Sequence, residues 1–339
     1  MSVVFPALAV DGSTRSTRVA VILPCYNEEA AIERTIREFR AVLPDATIYV
    51  YDNNSRDRSR ELAAAAGAVV RSERRQGKGA VVRRMFADVD ADVYVMADAD
   101  ATYDATAAPL MVRRLLDDQL DMVVGARATP AEIANEAYRR GHQWGNWLFT
   151  ALLTSMFGRA FTDIFTGYRV FSRRFVKSFP VLSTGFEIET EISVHALELS
   201  MPVAEIQTVY GTRPKGSVSH LNTYSDGWRI LKMMVSLFRT ERPVQFFGGI
   251  AVALTAVAMI LGVPLLITFL DSGLVPRIPT AILATGLVMI AALSLLAGLI
   301  LDTVTRARRE IKHLVYLQLP VPAYGSSGND PAADRLHRR

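Results

Sequence analysis

The 339-residue chain has a single cysteine, Cys25. No internal disulfide can brace the fold, which suits a reducing compartment. Its five histidines show no metal-ligand spacing; His142, His195, His220 and His313 receive no role. The opening stretch, MSVVFPALAVDG, has neither a basic leader nor a long apolar core, so a signal peptide is not expected. No segment repeats. The longest absences are of charge: there is none from Val244 to Leu270 and none from Ile278 to Leu301. Each run exceeds the roughly 20 residues that carry a helix across a bilayer core. The polar turn DSGLVPR lies between them. This predicts a helical hairpin in a membrane, with two buried core helices as the alternative.

Half the residues are apolar, and the excess is concentrated in those two runs. Arg229, Lys232, Arg239 and Arg242 precede the hairpin, and Arg306, Arg308, Arg309 and Lys312 follow it. The connecting turn has one Asp and one Arg. The positive-inside rule therefore puts both flanks on the cytoplasmic side of a plasma or inner membrane. The net charge of +4 is read as attraction to anionic headgroups rather than to nucleic acid.

Before the hairpin, strands alternate with helices. RVAVILPCYNEE reads as a buried strand over Val19 to Leu23, with a helix from about Glu28 to Val42. ATIYVYDNNS is a second strand, AVVRS a third, DVYVMAD a fourth and DMVVGAR a fifth, with helices at RELAAAAGA and from GKG to about Asp88. Such alternation indicates α/β units on a largely parallel sheet. The polar motifs fall where strands end, which is where such sheets bind ligands. Two later segments, YRRGHQWGNWLFTALLTSMFG and TYSDGWRILKMMVSLFRTERP, combine aromatic faces with flanking cations. They suit helices lying in a membrane interface, with ordinary core helices as the alternative.

The segment YVMADADATYD (94–104) sets Asp98 and Asp100 directly after an apolar strand. Two carboxylates so close repel, and a cation relieves them. A pair like this holds Mg²⁺ or Mn²⁺ with few protein ligands, leaving the rest of the shell to water and substrate phosphates. A solvated acidic strand end is the bland alternative. A haloacid-dehalogenase-type phosphatase, with Asp98 as nucleophile, is a third reading. That family carries its motif on its first strand, whereas here three strands come earlier.

LPCYNEE (23–29), YDNNSRD (51–57), QGKGAVVR (76–83) and DADATYD (98–104) follow one another in order. As a set they resemble the family 2 glycosyltransferases of GT-A fold. GAR (125–127), FTDIFTGYRVFSR (161–173), STGFEIETEI (183–192) and YGTRPKGSVSHLNTYSDGWRIL (210–231) narrow the resemblance to the polyprenyl-phosphate sugar synthases, the group of dolichyl-phosphate mannose and glucose synthases. It covers about residues 18 to 243, and a two-helix membrane anchor fits the bacterial members.

The resemblance implies a division of the chain. A flexible leader (1–17) precedes a GT-A domain (18–222) that includes an interfacial helix at about 138–157. A juxtamembrane helix (223–243), transmembrane helices (244–270 and 278–301) and a cytoplasmic tail (302–339), disordered towards its end, follow. The catalytic domain is expected to remain folded without residues 244–339. The resemblance also implies roles. Pro24, Tyr26, Glu28, Asp52, Lys78 and Asp98 would line the nucleotide-sugar pocket, with Gly77 and Gly79 allowing close backbone approach. Arg213 and Lys215 would close over the donor diphosphate. Asp98 and Asp100 would hold the metal; Thr102 stands where some relatives have Gln as a further ligand. Arg127, one of Arg139 and Arg140, and Arg169 would meet the acceptor phosphate, since Arg suits bidentate phosphate binding. Asp163, Glu187 and Glu189 are candidates for sugar contact. The three glutamates Glu187, Glu189 and Glu191 are expected along a strand or turn.

The implied reaction is inverting transfer of one hexose from a nucleotide-sugar to polyprenyl phosphate. UDP-glucose or UDP-N-acetylglucosamine is favoured over GDP-mannose. A homo-oligomer, a tetramer in some relatives, is a further expectation, built through the hairpin or RARREIKHLVYLQL. A processive polysaccharide synthase is the rival enzyme, but Gln-x-x-Arg-Trp is missing; QWGNW (143–147) has Asn in the Arg position. A tethered sugar-nucleotide binding protein is the non-enzymatic alternative. Asp100→Asn is expected to remove nearly all product formation at saturating metal while the circular dichroism spectrum stays that of the wild type.

Overall fold

The computed structural model describes residues 17–128, 151, 154–155, 158, 161–181, 188–211 and 223–320. The leader, nearly all of the expected helix at 138–157, and the tail beyond 320 lie outside these residues. So do the candidate residues Arg139, Arg140, Glu187, Arg213 and Lys215.

Seven strands form one sheet: β1 (Val19–Cys25), β2 (Thr47–Asp52), β3 (Val69–Ser72), β4 (Val93–Met96), β5 (Met122–Ala128), β6 (Arg169–Ser172) and β7 (Val203–Val209). Their spatial order is β3-β2-β1-β4-β6-β5-β7. All neighbours run parallel except β6, which is antiparallel to both β4 and β5. The helices over this part are α1 (Ile32–Val42), α2 (Ser59–Ala65), α3 (Lys78–Asp88), α4 (Ala108–Asp117), α5 (Arg173–Ser178) and α6 (Ile188–Glu198).

The central strands are apolar on both sides because helices cover both faces. Strand geometry sends successive side chains to opposite faces. Accordingly Ala20, Ile22, Tyr94 and Met96 join one core with Phe86, Phe171 and Phe175. Val21, Leu23, Val93 and Val95 join the other with Phe39, Met111 and Leu115. Parallel β2, β1 and β4 bring Asp52, Cys25 and the segment after Met96 to one edge of the sheet. Strand order reverses direction between β1 and β4, and such switch points are where these sheets bind ligands.

Two local expectations change. The first helix begins at Ile32 rather than near Glu28, because residues 27–31 form a turn that is stitched to the loop after β2. Asn27 there has φ 54°; its amide donates to Ser55 Oγ (2.9 Å), and that of Glu28 donates to Ser59 Oγ (2.8 Å). Glu189 and Glu191 lie in the first turn of α6, not on a strand.

After the sheet come α7 (Thr223–Glu241), α8 (Pro243–Ser272) and α9 (Ile278–Leu317). Both α8 and α9 are long and apolar enough to cross a membrane. Only 11% and 17% of their most apolar windows are buried within the protein, so they are not core helices. α9 passes the expected end of the second span at Leu301 and runs unbroken from Ile278 to Leu317, 40 residues in all, about 60 Å at 1.5 Å per residue. Its last turns dock on the end of α7 and on the α/β domain. Lys312 Nζ meets Glu198 Oε2 at 2.6 Å, Arg308 and Arg309 meet Glu241 at 2.6 and 2.9 Å, and the Tyr316 hydroxyl donates to Asp121 Oδ2 at 2.7 Å. The segment RARREIKHLVYLQL, read as a possible oligomer contact, is thus engaged within the chain.

Asp121 is fully buried. It also accepts from Ser172 Oγ (2.8 Å) and, bidentately, from Arg174 (3.0 Å for each bond). Removing one partner of a buried pair strands the other's charge. Asp121→Ala is therefore expected to cost about 3 kcal/mol in an equilibrium chemical-denaturation measurement.

Candidate active site

The acidic segment after β4 holds a cation, and the cation is Lys78. Its ammonium makes a short contact to Asp98 Oδ1 and lies 2.6 Å from Glu189 Oε1. Burial pulls the Lys78 pKa down, but Asp98 and Glu189 outweigh it and hold the group above its usual range. Glu189 is pushed up, by burial first, with Lys78 opposing and Asp98 adding to the rise. Only Glu189 of the pair is deeply buried, with its side chain 6% exposed against 28% for Asp98. Asp98 therefore presents a carboxylate that a ligand can reach.

Lys78 opens α3, and the preceding loop is placed by residues the sequence reading passed over. Asn53 Oδ1 accepts from the Gly77 amide (2.7 Å), while its Nδ2 donates to the carbonyls of Glu73 (3.0 Å) and Arg75 (2.9 Å). Asn54 Nδ2 donates to the Arg74 carbonyl (2.9 Å). Gly77 itself has φ 122° and ψ 141°, a conformation open in practice only to glycine. The one sequence signal for this brace was the pair of asparagines directly after β2.

Asp100 is buried. Its Oδ1 accepts from the Thr102 hydroxyl (2.6 Å) and amide (3.2 Å). Thr102, at the position some relatives fill with a metal ligand, here orients Asp100. Asp104, third of the acidic run, accepts from Thr106 N (2.9 Å) and Oγ1 (2.7 Å), and caps the turn at 105–107. Among the described residues no three His, Cys, Asp or Glu side chains converge as a metal-binding group. A divalent ion at this edge would draw on Asp98 and Asp100 and take its other ligands from water or substrate oxygens. Hard carboxylate oxygens, few in number, fit Mg²⁺ or Mn²⁺ bound in that way.

Arg127, at the end of β5, is aimed by Asp163: Nε to Oδ2 is 2.6 Å and Nη2 to Oδ1 is 2.9 Å. Its guanidinium also stands over the Tyr210 ring, 5.4 Å from the centroid. Asp163, expected among the sugar contacts, is thus the partner of Arg127. Tyr103 links the two halves of the site. Its ring lies 5.3 Å from that of Tyr210 and 5.2 Å from that of Tyr168, and its hydroxyl accepts from the Gly167 amide at 2.9 Å. Burial, then the charge of Asp98, raises the Tyr103 pKa, with Arg127 and Lys78 acting against them. It therefore remains a neutral phenol.

Of the other expected donor residues, Asp52 is buried at the end of β2 and accepts from the Ser55 amide at 3.3 Å. Tyr26 is exposed, and Pro24 and Glu28 are half-buried, at the end of β1 and just beyond it. These groups share the edge with Asp98. Arg169 does not. It is fully buried, donating from Nε to the Thr166 carbonyl (3.0 Å) and from Nη2 to the Ile164 carbonyl (2.6 Å). Burial lowers its pKa to about 10. The expectation that it meets an acceptor phosphate is corrected: it braces the turn before β6 from inside.

Gly167 lies within FTDIFTGYRVFSR, where no local pattern marks it for a special role. A Cβ there would lie 2.9 Å from Asp98 Oδ2 and 3.1 Å from Lys78 Nζ. Gly167→Ala is expected to displace the Lys78–Asp98 pair and cut turnover severely. Thermal unfolding in the same preparation should remain close to wild type, since the added methyl meets polar tips rather than the core.

The profile described as "Glycosyl transferase family 2" matches residues 20–179. Glycosyltransferase AglJ of Haloferax volcanii is 34% identical over 242 residues, covering 71% of this chain and 78% of that protein. A dolichyl-phosphate hexose transferase of the same organism is 28% identical over 225 residues, covering 66% of this chain and 95% of its own. Among solved structures, glucosyl-3-phosphoglycerate synthase from Mycobacterium tuberculosis, in complex with Mn²⁺ and UDP-glucose, superposes with a TM-score of 0.51 at 22% identity. That match covers 66% of this chain and 78% of the other, and it shows a common GT-A-like fold.

Proposed function

The chain belongs to glycosyl transferase family 2, and from that premise we propose that it transfers a single hexose, with inversion, from a nucleotide-sugar to polyprenyl phosphate. UDP-glucose or UDP-N-acetylglucosamine is the favoured donor, ahead of GDP-mannose. The reaction takes place at the cytoplasmic face of a membrane crossed by α8 and α9. The observation that carries this reading is the arrangement of one sheet edge. An acidic, cation-holding pocket at Asp98, Lys78 and Glu189 stands beside a carboxylate-aimed arginine, Arg127, in a domain docked on the end of the second of two long apolar helices. The name of the dolichyl-phosphate hexose transferase relative supports a lipid-phosphate acceptor. The Mn²⁺ and UDP-glucose of the structural neighbour support the donor class and a divalent metal.

In this reading Pro24, Tyr26, Glu28 and Asp52 line the nucleotide side of the edge. Lys78 contributes a permanent ammonium near the diphosphate, since its two carboxylates keep it protonated. Asp98 and Asp100 are the protein's share of a Mg²⁺ or Mn²⁺ site. When bound, the ion supplies positive charge that stabilises the departing nucleoside diphosphate. Arg127 faces the acceptor. Its fork is held in orientation by Asp163, and charge-assisted pairs with phosphate are strong and directional. Arg139, Arg140, Arg213 and Lys215 keep the roles assigned by resemblance, as does Glu187 towards the sugar, whereas Glu189 is taken up by Lys78.

No catalytic base is needed. A sugar hydroxyl must lose a proton as it attacks, whereas a phosphate monoester, with a second pKa near about 6, is mostly dianionic at neutral pH. The protein's task is to hold that dianion in line with the anomeric carbon against repulsion from the donor. The test uses the full-length protein with Mn²⁺, nucleotide-sugars and polyprenyl phosphate. Glycosylated polyprenyl phosphate should form once per acceptor. With all ligands saturating, its rate should show no acidic limb assignable to Asp104, Asp163, Glu187 or Glu189. Arg127→Gln should raise the acceptor KM far more than the donor KM. Repeated addition of sugar to one acceptor would favour the processive synthase, and nucleotide binding without any product would favour the tethered binding protein.

A further inference from the structure

We propose that the cytoplasmic part of α9 is a rigid mast that sets the height and tilt of the active site over the membrane, with Glu198, Glu241, Arg308, Arg309, Lys312 and Tyr316 as positioning residues. The proposal rests on the reading of α8 and α9 as a membrane hairpin. Four observations carry it. First, α9 runs from Ile278 to Leu317 without a proline beyond its first turn, so the segment after the apolar span is a stiff continuation of it. Second, the chain bends at Arg242 (φ −133°, ψ 54°) between α7 and α8, and α9 braces that elbow. The Thr305 hydroxyl donates to the Thr240 carbonyl at 3.0 Å, and Arg308 and Arg309 both reach Glu241.

Third, one turn further on, α9 is fastened to the catalytic domain. The side chain of Glu198, at the end of α6, is fully buried between Lys312 (2.6 Å) and Arg309 (3.4 Å). Near the C-terminal end, Tyr316 bonds Asp121 and lies under the Arg174 guanidinium, 4.4 Å from the ring centroid. Fourth, α6, α7 and α9 do not pack closely between these points. An open cleft of about 550 Å³ lies there, lined by Val194, His195, Met233 and Leu237 and walled by the paired Glu198 and Lys312. Apolar contact there would tolerate sliding, whereas ion pairs to buried carboxylates and a directed hydroxyl bond accept one register. Buried ionic groups act best as such register devices. The carboxylate Glu189 that grips Lys78 stands in the first turn of the same α6 whose last residue is Glu198. A change of angle at the mast is therefore carried to the site by one helix.

The test uses full-length protein in vesicles of phosphatidylethanolamine and phosphatidylglycerol. Tyr316→Phe removes one hydroxyl from the outer fastening, and Lys312→Gln removes one cation from the inner one; neither residue touches substrate. Turnover is compared between a long-chain polyprenyl phosphate embedded in the vesicle and a short, water-soluble prenyl phosphate. A dye on Glu61→Cys reports energy transfer to labelled headgroups. Position 61 is 75% exposed, while Cys25 is buried. Each variant should lose at least about tenfold in kcat/KM on the embedded acceptor, because small misplacements of reacting groups are costly. Rates on the soluble acceptor and donor KM should hold, and the distribution of transfer distances should broaden. Equal losses on both acceptors, no loss on either, or an unchanged distance distribution overturns the mast. If the wild type glycosylates neither prenyl phosphate, the proposed reaction fails. The distance distribution then decides the mast alone.

Discussion

The structure of the site depends on one buried ammonium. Lys78 at the start of α3 draws together Asp98 from the end of β4 and Glu189 from the first turn of α6. Burying a lone ammonium is costly, and burying two carboxylates without it is more so. Each group therefore holds the other elements in register. The neighbouring features make room for this contact. Asn53 fixes the loop that delivers Lys78, Gly77 takes the backbone conformation that turns it into α3, and Gly167 leaves the space that the pair occupies. Asp98 and Glu189 share the one ammonium of Lys78, and Asp100 follows two residues after Asp98 on the same edge. The surplus of negative charge is the electrostatic basis for a divalent cation there.

A second cation is kept apart from this acidic pocket. Arg127 is aimed by Asp163 and shielded by the Tyr210 face, and Tyr103 stands between the two halves. The tyrosine is buried and neutral, so it separates the charges without adding one. In the proposed reaction this division matches the demands of joining two anions. A donor diphosphate would need positive charge on the leaving side, and an acceptor phosphate would need it on the attacking side. If both cations were on one side, they would stabilise the two ground states together and leave the reacting centre unaligned.

The same economy of contact governs how the domain meets the apolar helices. Glu198, Glu241 and Asp121 are each buried or nearly so, and each is answered from α9. Their partners lie far ahead in sequence. Without the end of α9, Glu198 and Glu241 would lose these cations, whereas Asp121 would keep Ser172 and Arg174.

What the sequence determined by itself is local or ordered. Apolar runs of strand length announced β1, β2, β4 and β5, because a strand covered on both faces must be apolar throughout. The ordered motifs at strand ends placed Asp52, Lys78, Asp98 and Asp100 on one edge, because parallel strands align their ends. Two long uncharged runs announced α8 and α9. What only the tertiary structure decided are pairings between distant residues. The four-residue β6 enters antiparallel between β4 and β5, held by ladders that no local pattern records. Arg169 looked like a surface cation in a polar motif, yet the first position of that strand points it inward to two carbonyls. Glu189 showed no partner until α6 brought it to Lys78, and the charges after residue 302 looked like a membrane-facing tail until α9 met Glu198 and Asp121. In each case the chain specifies a residue's chemistry, but the free energy of a charge depends on what surrounds it, and folding supplies those surroundings.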